Sequence, residues 1–129
     1  MISIDTNVII RLLTHDDEPQ YKQAYSFFKS EAIFLPSTVI LESEWVLRYA
    51  YSFTRDQISD AFLKLIRLPN INLANPMAVY DALKWYENGL DFADALHLAE
   101  SRHCKKMASF DKAFIRKSEG LSPCKVLLP

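Results

Sequence analysis

Four acidic side chains lie where carboxylates could do chemistry: Asp5, Glu42, Asp94 and Asp111. Asp5 follows the first predicted strand, and Asp111 follows the fourth. Asp94 lies in the first turn of a predicted helix, and Glu42 interrupts an otherwise apolar helix. In an open α/β sheet, ligands bind beyond the carboxyl ends of the strands. We therefore expect Asp5 and Asp111 at that edge, with Asp94 brought near by its helix.

Carboxylates gathered in this way favour a divalent cation, because neighbouring carboxylates cannot all stay ionised without help. Mg²⁺ and Mn²⁺ take oxygen ligands and keep several waters, so a few carboxylates and a substrate phosphate suffice. Such a cation can activate a water and stabilise charge on a phosphodiester. The pattern therefore indicates metal-dependent phosphodiester hydrolysis.

Each acid also has a plain structural interpretation. Asp5, Asp111 and a further acid, Asp91, precede predicted helices, where Asp is a common N-cap residue. Glu42 alone fits a tolerated helix residue. Its neighbour Glu44 competes with it, but side chains two positions apart lie about 200° apart around a helix, so both cannot face one site. The combination of acids, rather than any one of them, favours chemistry.

Short strands that alternate with helices must position these acids. Strands are predicted over 1–5, 32–35, 71–73, 106–110 and 125–128. Helices are predicted to begin near residues 6, 18, 37, 54, 75 and 91, with a short one around 114–115. This alternation predicts an α/β fold, a three-layer α/β/α sandwich with a mainly parallel central sheet of four to five short strands. The loops are short, so residues 1–129 are expected to form a single domain.

Composition excludes two large enzyme classes. The chain has 129 residues and a net charge of −1. Its only glycines, Gly89 and Gly120, are too far apart for the glycine-rich loops that bind dinucleotides or nucleoside triphosphates. Residues 102–129 contain seven Lys/Arg and two Asp/Glu. This basic stretch could meet phosphates or could simply be a solvated helix face.

The cysteines and the hydropathy pattern favour a cytoplasmic protein. Cys104 and Cys124 do not form a Cys-x-x-Cys motif, so we interpret them as reduced thiols rather than as a zinc or redox site. Asp5 and Arg11 interrupt the first apolar stretch, which is unlike a secretory signal. No window approaches the roughly 18 apolar residues of a membrane span.

Four motifs that contain these acids resemble those of the PIN domain family, especially the VapC-type ribonuclease toxins of type II toxin–antitoxin systems. In chain order they are ISIDTNVIIR, VILESEWVLRYAY, GLDFADALHLA and ASFD, spanning residues 2–111. Each motif is weak alone, whereas four in family order are specific. The resemblance implies a PIN-like sandwich, a metal-dependent endoribonuclease that acts on RNA, a homodimer, and a cognate antitoxin that blocks the acidic groove.

The resemblance also assigns roles residue by residue. It implies Mg²⁺ or Mn²⁺ held by Asp5, Glu42 and Asp94, with Asp111 as a fourth acid and Asp91 as a further candidate. The motif register favours Glu42 over Glu44, which is then expected to be a solvated charge or a subunit contact. Three polar side chains match positions that support the acids, namely Thr6, Asn7 and Ser109, where Ser replaces the more usual Thr.

Other candidates have plainer expected roles. We expect His97 to be a partly buried packing residue rather than a metal ligand. The large aromatic residues are expected in the core or in a subunit interface rather than stacked on bases: Trp45, Tyr49, Trp85 and Tyr86. Five cations are candidate RNA-phosphate contacts: Arg11, Arg48, Lys112, Arg116 and Lys117.

Three alternatives compete with the nuclease. A haloacid dehalogenase-type phosphatase needs Asp-x-Asp after the first strand, but Asn7 occupies the second acidic position. A receiver-type signalling domain needs a clustered acidic pair there, which is also missing. A non-catalytic PIN fold kept for RNA or protein binding stays open, although such domains usually lose acids that are present here.

Overall fold

The computed structural model describes all 129 residues, which form seven helices and five strands. The helices are α1 (Thr6–Thr14), α2 (Glu18–Ser30), α3 (Ser37–Ala50), α4 (Arg55–Ile66), α5 (Pro76–Glu87), α6 (Phe92–Glu100) and α7 (Lys112–Lys117). The strands are β1 (Ile2–Ser3), β2 (Ile33–Phe34), β3 (Ile71–Asn72), β4 (Lys106–Ala108) and β5 (Lys125–Leu127). The chain divides into two compact units, Met1–Ala74 and Asn75–Pro129.

The first unit contains a parallel sheet of three strands in the order β1-β2-β3. Ile33 pairs with both Ile2 and Ile71, and it is fully buried. Apolar residues of α1, α3 and α4 complete this core, including Ile9, Ile10, Ile40, Leu47, Ile58 and Phe62. Burial of aliphatic and aromatic side chains is the main favourable contribution to such a core.

The second unit packs α5 against α6 and pairs β4 with β5 in parallel. Tyr86 and Phe92 meet edge to face, with ring centroids 5.2 Å apart and planes at 79°. This is a favoured geometry for two aromatic rings. Phe114 of α7 and Val126 of β5 are also buried.

Local capping signals explain most helix starts. Thr54 and Gln57 form the predicted capping box, and the Asn75 side chain accepts the Ala78 N–H before Pro76 opens α5. Gly89 follows α5 at φ +106°, which a residue with a side chain rarely adopts. These boundaries agree with the sequence analysis.

The prediction of an α/β fold with parallel strands is confirmed. The strands are only two or three residues long, and their hydrogen bonds form sheets of three and two strands. Strand β1 ends early because Asp5 already serves as the N-cap of α1. That the whole chain is one domain stays a prediction. None of the helices has the length and apolar character needed to cross a membrane.

Candidate functional site

The first acidic set, Asp5 and Glu42, belongs to the first unit. Asp5 is the N-cap of α1, and its exposed carboxylate accepts the Asn7 N–H at 3.1 Å. The buried Thr6 hydroxyl donates a hydrogen bond to Glu42 Oε1 on α3. Because Thr6 directly follows Asp5, this bond holds the Glu42 carboxylate beside the start of α1. Both Thr6 and Asn7 thus support an acid, Asn7 through its backbone.

Glu44 is not a solvated charge, so that expectation is wrong, whereas the alternative of a subunit contact stays a prediction. Its side chain is 2% exposed, and its Oε2 lies 2.8 Å from Arg48 Nε one turn along α3. Since two positions turn a helix by about 200°, exposed Glu42 and buried Glu44 lie on different faces. The i, i+4 spacing of Glu44 and Arg48 was the available sequence signal for this ion pair.

The second acidic set, Asp91, Asp94 and Asp111, belongs to the second unit. Asp91 is the N-cap of α6 and accepts the Asp94 N–H at 3.2 Å. Asp111 is the N-cap of α7 and accepts two N–H groups, from Ala113 at 2.9 Å and from Phe114 at 3.1 Å. The Asp111 N–H itself donates to Ser109 Oγ at 3.0 Å, which gives Ser109 its supporting role.

Electrostatics within the second set are unfavourable to ionised Asp94. Burial, followed by the charges of Asp91 and Asp111, raises the pKa of the Asp94 carboxyl, and His97 partly opposes the rise. A hard divalent cation relieves this kind of repulsion and prefers carboxylate oxygens, so these donors fit Mg²⁺ or Mn²⁺. Within each unit, no three His, Cys, Asp or Glu side chains come close enough to share a metal ion. A cation bound there would keep water or substrate oxygens among its ligands.

An open cavity of about 440 Å³ lies beside Asp94. His97, Ser109 and Phe114 also line it. His97 is exposed rather than partly buried, so its expected packing role is wrong. The apolar residues of α6 at positions 95, 96, 98 and 99 take the core-facing positions and leave His97 on the outer face. His97 is therefore accessible to a molecule bound in the cavity.

Asp94→Asn is expected to raise the thermal stability of the metal-free protein at neutral pH. A raised folded-state pKa favours the protonated acid in the fold. The stability that protonated Asp94 contributes is full below the unfolded-state pKa and is lost as the pH rises through the folded-state pKa. Neutral asparagine avoids that loss. The advantage should vanish below about pH 4, where the unfolded-state carboxyl is also protonated.

Thermal unfolding followed by circular dichroism in EDTA, over a range of pH, measures this effect. Glu87→Gln, at an exposed position on α5, is the matched control for removing one negative charge. A stability difference for Asp94→Asn that is independent of pH would contradict the electrostatic explanation.

The candidate phosphate contacts fall into two groups. Arg11 pairs with Asp16 at 3.1 Å and also binds Gln20, and Arg48 pairs with buried Glu44. The other three are exposed on α7 and form no ion pair: Lys112, Arg116 and Lys117. The α7 group is therefore better suited to meet phosphates. The partners of Arg11, including the Tyr51 hydroxyl at 3.3 Å, were not anticipated from the sequence because Tyr51 is 40 residues away.

The large aromatic residues include two that are buried and two that are exposed. Trp85 and Tyr86 are buried core residues of the second unit, as expected. Trp45 and Tyr49 are 58% and 62% exposed on α3, with ring centroids 5.1 Å apart. The Arg48 guanidinium lies 4.7 Å from the centroid of the Tyr49 ring. These exposed rings form a patch available to a partner or a ligand.

The protein has an α/β fold with parallel strands, and several of its candidate site residues are carboxylates at the N-termini of helices. The PIN domain family matches residues 2–120. The chain belongs to the PIN domain family, whose members are typically nucleases and commonly use divalent metal ions. Searches of curated proteins and of solved structures give no match.

Proposed function

We propose that this PIN domain is a metal-dependent endoribonuclease and the VapC-type toxin of a toxin–antitoxin pair. The observation that carries the proposal is the raised pKa of Asp94 beside an open cavity, caused first by burial and then by the charges of Asp91 and Asp111. The PIN family is typically a nuclease family that commonly uses divalent metals, and a bound cation would offset these negative charges. The four motifs in family order support the toxin subtype.

The carboxylates of Asp5, Glu42, Asp94 and Asp111 are the proposed ligands of Mg²⁺ or Mn²⁺, with Asp91 as an additional candidate. When bound, the cation supplies positive charge to a phosphodiester undergoing attack and lowers the pKa of water. Thr6 orients Glu42 through its hydroxyl, and Ser109 fixes the backbone of Asp111. Asn7 supports Asp5 through its backbone N–H.

RNA is the proposed substrate, held through its phosphates by the exposed cations of α7. Lys112, Arg116 and Lys117 provide charge without an internal partner. Arg11 and Arg48 can contribute only by exchanging a carboxylate for a phosphate. Such contacts follow the backbone, so recognition of RNA shape or of unpaired loops would select the cleavage site.

The proposed partners are a second copy of this chain and a cognate antitoxin, with the cytoplasm as the compartment. Exposed Trp45 and Tyr49 support an interface between subunits, because large aromatic residues are enriched in such surfaces. Cys104 and Cys124 are not joined by a disulfide, as expected for a protein of a reducing compartment. Light scattering during gel filtration measures the proposed dimer directly.

Cleavage of total cellular RNA by the purified protein, free of any antitoxin, tests the activity. Discrete fragments are expected with Mn²⁺ or Mg²⁺ and not with EDTA. The cleavage activity of each chromatographic fraction should be proportional to the amount of this protein in it. Cleavage that persists in EDTA, or that separates from the protein peak, would contradict the proposal. RNA binding without cleavage by the folded protein would favour the non-catalytic binding module instead.

A further inference from the structure

A groove of about 650 Å³ lies between α7 and β5 in the second unit, which we name the C-terminal groove. Five consecutive residues of the chain line it, Cys124 to Leu128. Successive side chains of a strand point to opposite faces of the sheet. A cavity that touches all five reaches residues of both faces, as a cavity along the edge of β5 does.

That edge has backbone groups directed away from β4. The Lys125 N–H donates to the Lys105 carbonyl, and the Leu127 carbonyl accepts the Ser109 N–H. In a parallel pair, alternate residues of a strand bond to the same neighbour. Val126, between the two bonded residues, therefore directs its N–H and carbonyl away from β4, and β4 is the only strand that pairs with β5.

The groove combines an apolar floor with a basic rim. Ile115, Val126 and Leu127 supply apolar surface, and Lys112, Arg116 and Lys125 supply positive charge. Glu119 is the acid that lines it. The three cations are exposed and form no ion pair in the structure. The lining therefore carries a net positive charge.

We propose that the C-terminal groove binds an extended, acidic peptide segment of a partner protein, which adds to the edge of β5 as a further strand. Main-chain hydrogen bonds would supply affinity, alternate apolar side chains would enter the groove, and acidic side chains would meet the basic rim. An exposed strand edge favours a peptide over RNA, because RNA has no groups with the spacing of a strand. The proposal does not depend on nuclease activity, and β5 lies outside the matched residues 2–120.

Fluorescence anisotropy with a labelled synthetic peptide of about six residues, alternating Asp and Leu, tests the proposal. A second peptide with Lys in place of Asp is the probe for charge. We expect the acidic peptide to bind at least about tenfold more tightly, since several modest ion pairs together give a difference of that size. Amide hydrogen exchange at Val126 should slow when the acidic peptide is bound, because its N–H becomes part of the ladder.

The variants Lys112→Glu and Lys125→Glu should each weaken binding of the acidic peptide. Lys22→Glu, at an exposed position on α2, is the matched control and should leave binding unchanged. Circular dichroism checks that each variant remains folded. The proposal is overturned if the acidic peptide does not bind at about 1 mM, if Val126 exchange does not change, or if an RNA oligonucleotide binds the groove and the peptide does not. Intact RNA cleavage with any of these results would leave the proposed nuclease standing.

Discussion

Glu42→Gln is expected to reduce metal-dependent RNA cleavage by about 100- to 1,000-fold while leaving the metal-free protein folded. Glutamine has nearly the same shape, and its side-chain oxygen can still accept the Thr6 hydroxyl. Loss of the negative charge weakens binding of the metal. The charge stabilisation that a metal supplies to the transition state is worth several kcal/mol, and each 1.36 kcal/mol corresponds to about tenfold in rate. Initial cleavage rates at saturating Mn²⁺ measure the effect.

A second measurement separates loss of metal from loss of fold. Mn²⁺ should raise the Tm of the unaltered protein by mass action, and this shift should shrink in Glu42→Gln. Asp5→Asn should behave in the same way, because asparagine is also a good N-cap and α1 keeps its start. Glu87→Gln, at an exposed position, is the matched control. Unchanged cleavage and an unchanged metal shift in Glu42→Gln would remove Glu42 from the proposed ligands.

Glu44→Ala is expected to destabilise the fold by about 2–4 kcal/mol, which lowers the Tm by roughly 10 °C. Removing Glu44 leaves the Arg48 guanidinium without its carboxylate partner and opens a small cavity at a buried position. Arg48 is 30% exposed, so it can recover part of its hydration, and the effect stays below that of a fully buried pair. Urea or thermal unfolding measures it.

The control for Glu44→Ala is the double variant Glu44→Leu/Arg48→Met, which replaces both charges with apolar side chains of similar size. It should recover most of the lost stability, since it removes both charges of the ion pair together. A Glu44→Ala protein as stable as the unaltered chain would show that the pair contributes little. Comparison with Glu42→Gln then distinguishes two acids that are two residues apart on one helix.

The parts of this molecule that could be predicted from sequence are those determined by near neighbours. The caps at Asp5, Thr54 and Asn75 involve hydrogen bonds across two or three positions, so residue type alone indicated them. The helical spacing of apolar residues likewise located the buried helix faces, including those of Ile58 and Leu83. The order of the motifs led to the family.

The parts that failed depend on packing between distant elements. The periodicity of α3 does not reveal which of Glu42 and Glu44 faces the core, because both interrupt the same apolar stretch. For His97, the orientation of α6 against α5 decided its exposure. The fold class was predicted correctly, but the individual strand pairings, such as Ile2 with Ile33, join residues far apart in the chain, and local patterns do not encode them.

Three of the candidate acids, Asp5, Asp91 and Asp111, are also N-caps of helices. A helix N-terminus carries a positive potential equivalent to about half an elementary charge, so each macrodipole acts on its own acid as a fixed internal counter-ion. This chain therefore holds these carboxylates in position before any cation arrives. In the proposed mechanism, metal loading can then follow folding as a separate step, and the bound cation adds stability to sites that are already formed.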